Sequence, residues 1–297
     1  MNILVTGANG FLGSNICNLL SKNHNIYAAS RTFTKLSKHN IVCIRFEMSD
    51  YITLNETIKD NKIDTVIHCA WMGGNSSKDT NELWQTENIS YSTILLEACA
   101  KHKIKHFIGF GSSAEYGNQN TKFNEDTTCS PTTMYGVSKN CFKMISENYC
   151  KSNNILHSWI RPVYTYGPND VETRLIPKVI LSLLRNQNLT LNKCSAVVDY
   201  LYVEDFAKAV KIIVEEKLQG NYTVCSDGEI NIRNVVTSIY NKINPSCVLN
   251  FDDVIEEIGP KYVCGTSQKL RSVSNWFPEI DFEQGLEQTI SYFKKFV

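Results

Sequence analysis

The chain contains no apolar run approaching the roughly 20 residues needed to cross a bilayer, and its N-terminus enters a strand-like pattern instead of a leader. A cytoplasmic chain without membrane insertion is the expectation. An excess of charge is also missing, because 30 basic residues balance 30 acidic ones. Without a net field there is no reason to expect nucleic acid or a membrane surface as partner, and a small-molecule substrate fits better. Eleven cysteines are present, yet no C-x-x-C pair or Cys/His cluster. That favours reduced, mostly buried thiols over a disulfide framework or a zinc site. No internal repeat, low-complexity tract or proline-rich linker interrupts the 297 residues, a length suited to one large domain or two modest ones.

What is present begins at once. The first thirteen residues read MNILVTGANGFLG, with Ile3, Leu4 and Val5 forming the apolar run of a buried parallel strand. The chain then turns through Gly7, Gly10 and Gly13 into a helical pattern. The first glycine permits the tight turn, the second lets backbone approach a pyrophosphate, and the third lets helix and strand pack closely. Phe11 and Leu12 open the helix, whose free amides suit phosphate charge. Strand patterns NIYAASR, VCIRFE, DTVIHCA, KHFIGFGSS and LHSWIRPV follow, alternating with helical stretches. This alternation predicts an α/β fold with a doubly wound parallel sheet. Residues 1–165 read as a dinucleotide-binding unit, with a later return near 202–226. Residues 166–297 read mainly as a smaller α/β substrate lobe over the carboxyl ends of the strands.

Tyr135 and Lys139 stand four apart in the amphipathic stretch TTMYGVSKNCFKMISENYC, so both side chains rise from one helix face. A free phenol titrates near ~10, and an ammonium one turn away stabilises the phenolate. The spacing therefore describes a proton-transfer device.

In combination, GANGFLG, VIHCAW, ENISYSTILLEAC, GSSAEYG, YGVSK, RPVYTYGP, GTSQKLR and NWFP resemble the extended short-chain dehydrogenase/reductases, specifically the NAD(P)-dependent nucleotide-sugar epimerase, dehydratase and reductase group. Within it the chain looks most like a 4-keto-6-deoxy sugar nucleotide reductase. The resemblance implies a Rossmann-type sheet, hydride transfer between a sugar carbon and nicotinamide, a nucleotide-diphosphate sugar as substrate, and a homodimer packed through two helices per subunit. It also implies site roles. Tyr135 passes a proton to or from the sugar oxygen, Lys139 holds the nicotinamide ribose and depresses the phenol's pKa, and Ser112 bonds the reacting oxygen, with adjacent Ser113 as its rival. Asn88 supports this relay from a neighbouring helix. Pro162 and Val163 match the segment against the nicotinamide, and Ala70 the turn beside the cofactor. Trp71 and Met72 wall the sugar, while Arg174, Asp199, Tyr200 and Arg271 lie in segments approaching the nucleotide and its phosphates. The family segment matched by VVDYLYVEDFAKA often carries an arginine or histidine, where this chain has Val198 and Tyr202.

Cofactor preference has a physical basis. NAD-preferring sites commonly end the second strand with a carboxylate that would repel a 2′-phosphate. Here Arg31 holds that place, flanked by Ser30 and Thr32, and a guanidinium fork suits phosphate. The expectation is NADP(H), with NAD(H) less favoured. Glu47 and Met48 stand where the family often has an Asp and an apolar residue beside adenine. The acidic pair that dehydratases place after the active-site hydroxyl is replaced by Ser113 and Ala114. Ala114 and Asn169 also stand where bifunctional epimerase-reductases carry a cysteine and a histidine. A ketoreductase is the leading reading, a 4-epimerase retaining NAD the alternative, and a non-catalytic NADP-binding sensor a lesser one.

Overall fold

The computed structural model describes residues 1–37, 39–73 and 82–297. Strand β1 (Asn2–Thr6) has Ile3, Leu4 and Val5 fully buried, as a strand covered on both faces requires. There follow α1 (Phe11–Leu20), β2 (Asn25–Ser30), β3 (Ile41–Arg45), α2 (Tyr51–Asp60), β4 (Thr65–His68), α3 (Glu82–Lys101), β5 (His106–Phe110), α4 (Met134–Ser152) and β6 (Leu156–Pro162). A later strand, β7 (Gly220–Val224), pairs in parallel with β6. The parallel sheet runs β7-β6-β5-β4-β1-β2-β3. Its order reverses between β1 and β4, and open sheets bind ligands in the crevice at such a point.

Local chemistry sets the helix starts. Asp50 caps α2 by accepting from the Thr53 amide, and Thr133 caps α4 by accepting from Gly136. Ile16 and Leu20 of α1 join Val210 and Ile213 of α6 (Val203–Glu215) in the core on one face of the sheet. On the other face Leu54 and Ile58 of α2 meet Leu95 and Leu96 of α3 and Phe142 of α4.

The remaining chain forms a separate apolar cluster. It draws Val179 and Ile180 from α5 (Leu175–Leu184), Val235 and Ile239 from α7 (Ile232–Ile243), and Leu286 and Ile290 from α9 (Phe282–Phe293). Between α7 and α9 lies the short α8 (Gln268–Val273). Helix α6, strand β7, Leu270 and Trp276 also pack into the core of the sheet.

One boundary differs from the sequence patterns. The third strand stops at Arg45, where Phe46 donates its amide to Ser30 and turns its ring inward. Helix α9 is capped by Asp281, which accepts from Gln284. All eleven cysteines are free, most of them buried. Among the described residues no helix is long and apolar enough to cross a membrane.

Candidate active site

The glycine turn is a close fit. Gly7 has φ +66°, and a Cβ there would lie 2.7 Å from the Ala70 amide nitrogen. A Cβ on Gly13 would overlap the Gly7 carbonyl oxygen. Gly10 caps α1 without a side-chain bond, so no side chain competes for the first-turn amides at Phe11, Leu12 and Gly13. This cradle, opening at the β1/β4 switch point beside Ala70, fits a dinucleotide pyrophosphate.

Asn9, within the turn, clips down the loop after β2. Its Nδ2 donates to Thr32 Oγ1 at 2.8 Å and its Oδ1 accepts from the Lys35 amide at 2.9 Å. Ser30 is half-buried, while Arg31 and Thr32 are exposed on the clipped loop. Glu47 is exposed, its carbonyl accepting from Asp50, and Met48 packs against the core. Sequence reasoning missed Asn9, although a polar amide between the first two glycines was a visible signal.

The reacting pair is assembled by a second close approach. A Cβ on Gly136 would overlap the Ala114 carbonyl oxygen, so the first turn of α4 presses onto residues 113–115. Ser112 and Ser113 are both half-buried beside it. Burial pushes the Tyr135 phenol above its ordinary pKa, and Ser112 draws it back. Lys139 is 5% exposed. Its Nζ donates to the Phe110 carbonyl at 2.8 Å, sits 3.8 Å from the Trp71 ring centroid and lies 5.9 Å from that of Tyr135. Burial lowers its pKa to about 7 against the raising effect of Glu115 and Cys69. In this arrangement the ammonium is turned toward Phe110 and Trp71.

Ser112 itself is held by a buried ion pair that sequence reasoning did not find. Its amide donates to Glu115 Oε1 at 2.9 Å, closing a capping box, and its Oγ accepts from Ala114 at 3.1 Å. Glu115 is fully buried and also accepts from Arg161 Nε at 2.8 Å and Trp159 Nε1 at 3.2 Å. An arginine inside the apolar strand LHSWIRP was the available clue, since a buried guanidinium requires a partner.

Asn88 departs from its expected role. Its Oδ1 accepts from the Met72 amide at 2.8 Å and its Nδ2 donates to the Met72 carbonyl at 2.9 Å. Both ends of the side chain thus fix the loop after β4 and not the tyrosine relay. Beneath it, His68 bonds Thr6 Oγ1 at 2.7 Å and Ser92 Oγ at 2.8 Å. Burial holds this ring neutral, with a pKa of about 3.

The proposed substrate residues divide. Arg174, at the start of α5, stands 5.7 Å from the Phe11 ring, influences the Tyr135 phenol and contacts Asp170 at 3.4 Å. Tyr200 is half-buried and packs on Tyr164 and Phe282. Asp199 is fully buried, its Oδ1 accepting from Ser226 N and Oγ at 2.8 and 2.7 Å. The Arg271 guanidinium is paired with the Asp227 carboxylate. Pro162 and Val163 end β6, Pro162 in register with Val224 and Val163 donating to its carbonyl. A cleft of about 170 Å³ lined by Leu175, Asn192, Cys194 and Lys261 opens beside α5. A cleft of about 530 Å³ between Tyr202 and Tyr292 is lined by Glu204, Gln284 and Gln288, away from Tyr135 and Lys139.

Comparison with known proteins agrees with this geometry. The family model described as the NAD dependent epimerase/dehydratase family matches residues 3–225. A trifunctional UDP-glucose 4,6-dehydratase/UDP-4-keto-6-deoxy-D-glucose 3,5-epimerase/UDP-4-keto-L-rhamnose-reductase of Arabidopsis thaliana is 27% identical over 98% of this chain. The chain spans about half of that relative, 47% of its length. Among solved structures, a UDP-N-acetylglucosamine 4-epimerase of Methanobrevibacter ruminantium in complex with UDP-N-acetylmuramic acid has a TM-score of 0.90. It is 25% identical, with 100% of this chain and 99% of that one covered. A UDP-glucuronic acid 4-epimerase of Bacillus cereus, in complex with UDP-glucuronic acid and NAD, has a TM-score of 0.89 at 25% identity, covering 100% of both chains.

Proposed function

The chain belongs to the NAD-dependent epimerase/dehydratase family, and from that premise we propose that it reduces the 4-keto group of a nucleotide-activated 4-keto-6-deoxyhexose with NADPH, supplying an activated deoxysugar for surface polysaccharide. The carrying observation is Arg31, exposed on the loop that Asn9 clips beside the glycine turn, where an NAD site commonly sets a carboxylate. A planar cation there favours a 2′-phosphate. A cofactor drawn from the reduced pool and released after one transfer suits a one-way reduction.

The nicotinamide, when bound, supplies the hydride. The chain's own residues do the rest. The glycine cradle and the first turn of α1 bind pyrophosphate, and Lys139 orients the ribose. Ser112 bonds the ketone oxygen, and Tyr135 delivers the proton that completes the alcohol. Burial keeps the Tyr135 phenol protonated at neutral pH, as a proton donor must be. Ser113 and Ala114 offer no acid–base pair for dehydration. Arg174, reaching from α5 toward Phe11 and Tyr135, is suited to the substrate diphosphate. Trp84, Val137 and Met144 leave apolar surface exposed on α3 and α4, which supports a homodimer packed through those helices.

The likeness to two 4-epimerases favours a second reading, interconversion of hexose epimers with retained NAD. NADPH absorbance followed with 4-keto-6-deoxy sugars linked to CDP, dTDP, GDP and UDP separates the two. Oxidation of NADPH by one of them is expected, and Tyr135→Phe should lose roughly 10²–10⁴-fold in turnover while still binding NADPH. Interconversion of two UDP-hexoses without added cofactor, and no NADPH consumption, would refute the reductase.

A further inference from the structure

The geometry points to Trp71 as a positioning residue of the reacting site: its indole face holds the Lys139 ammonium charged and in place, a role beyond that of a wall for the sugar. This inference rests on the reading of Tyr135 and Lys139 as the reacting pair. Lys139 enters surroundings that leave 5% of it exposed, where an ammonium loses the hydration that favours its charge. It has three donors to satisfy, and the Phe110 carbonyl takes one at 2.8 Å. The indole face then meets Nζ at 3.8 Å from its centroid, within the range of a cation–π attraction that strengthens as water is excluded.

The indole is itself fixed in place. Its Nε1 donates to Gln85 Oε1 at 2.9 Å, and its ring leans on Phe142 at 6.2 Å. The next residue, Met72, is held at both backbone atoms by Asn88. Gln85 and Asn88 are three apart on α3 and share a face. Their combined effect is to steady one ring over one cation.

The other groups around Lys139 come from each packed element. From β4 and its end come His68 and Cys69. Burial holds them at about 3 and about 12, so both are neutral at pH 7. From α4 comes Tyr135, a neutral phenol. From the turn after β5 comes Glu115, an anion already paired with Arg161 from β6. Trp71 thus adds stabilisation that these neighbours supply only in part.

The test is an NMR titration of the full chain carrying ¹³C,¹⁵N-lysine, with the Lys139 side-chain signal assigned through Lys139→Met. Trp71→Leu should lower the Lys139 midpoint by about one pH unit, a tenfold change in proton affinity. Trp71→Phe, which keeps an aromatic face, should lower it by less. In turnover, the limb of kcat/KM that falls with rising pH should move to lower pH in Trp71→Leu. A Lys139 midpoint unchanged in a folded Trp71→Leu overturns the inference. Should that variant not fold, Gln85→Leu frees the indole without removing it, and an unchanged midpoint there has the same force. Because the titration needs no turnover, failure to reduce any keto sugar would refute the proposed function while leaving the Trp71 result readable.

Discussion

Replacing Glu115 with leucine would strand Arg161, whose side chain is 3% exposed, beside an apolar group. In the native structure that guanidinium donates through Nε to Glu115 at 2.8 Å, through NH1 to Tyr116 at 3.3 Å and more weakly to the Cys129 sulfur. Only the first contact neutralises it. Breaking a buried pair by removing one partner costs about 3–5 kcal/mol, because the remaining charge is neither hydrated nor paired. Trp159 Nε1 and the Ser112 amide lose their acceptor in the same step, which keeps the expectation toward the upper end. Against a typical stability of about 5–15 kcal/mol, the melting temperature should fall by roughly 6–10 °C at ~2 °C per kcal/mol for a chain of this length. Differential scanning calorimetry of Glu115→Leu, Arg161→Met and the double variant forms a closed cycle. The double variant should be less destabilised than either single one, since it leaves no unpaired charge. Additive losses, or a Glu115→Leu melting temperature within a degree or two of wild type, would refute the assignment of a coupled buried pair.

Arg31→Ala should weaken NADPH roughly 10–100-fold, the scale of a charge-assisted bond to phosphate, and leave NADH binding unchanged; fluorescence titration of both cofactors checks this, and equal weakening would count against Arg31 as the phosphate ligand. His68 carries a pH dependence whose sign follows from burial: its folded pKa of about 3 lies below the ordinary 6.5, so the unfolded chain binds more protons between those values. Its contribution is complete above pH 6.5 and declines as pH falls toward 3, by up to ~1.4 kcal/mol per pH unit. Asp170 and Asp199, raised by burial to about 6, act in the opposite direction, so the useful comparison is a denaturant series of His68→Asn against wild type. A shallower acid decline is expected in the variant, and parallel curves would contradict a buried neutral ring.

Much of the site's scaffold was readable because it depends on near neighbours in sequence. The apolar run Ile3–Leu4–Val5, the turn glycines and the four-residue spacing of Tyr135 and Lys139 are set by strand and helix periods. The hold on Ser112, whose amide bonds Glu115, was not, because adjacent hydroxyls differ only in what the fold brings to them. Asp199 bonds Ser226 and Arg271 pairs with Asp227, partners that lie 27 and 44 residues away and that no local pattern names. A motif places a residue near a site without fixing its partners. Glu115 and Arg161 were both in view, 46 residues apart, and only the adjacency of β5 and β6 joins them.

The sequence by itself determined the parallel sheet, the glycine turn after β1 and the shared helix face of Tyr135 and Lys139, since these follow from local periodicity and from glycine at positions a Cβ would fill. Tertiary structure alone decided where each charge and hydroxyl points. Lys139 meets the Phe110 carbonyl and the Trp71 ring, and Asn88 braces Met72. Those choices are made where α3, α4 and the ends of β4 and β5 converge, because burial makes each polar group take a partner from another element.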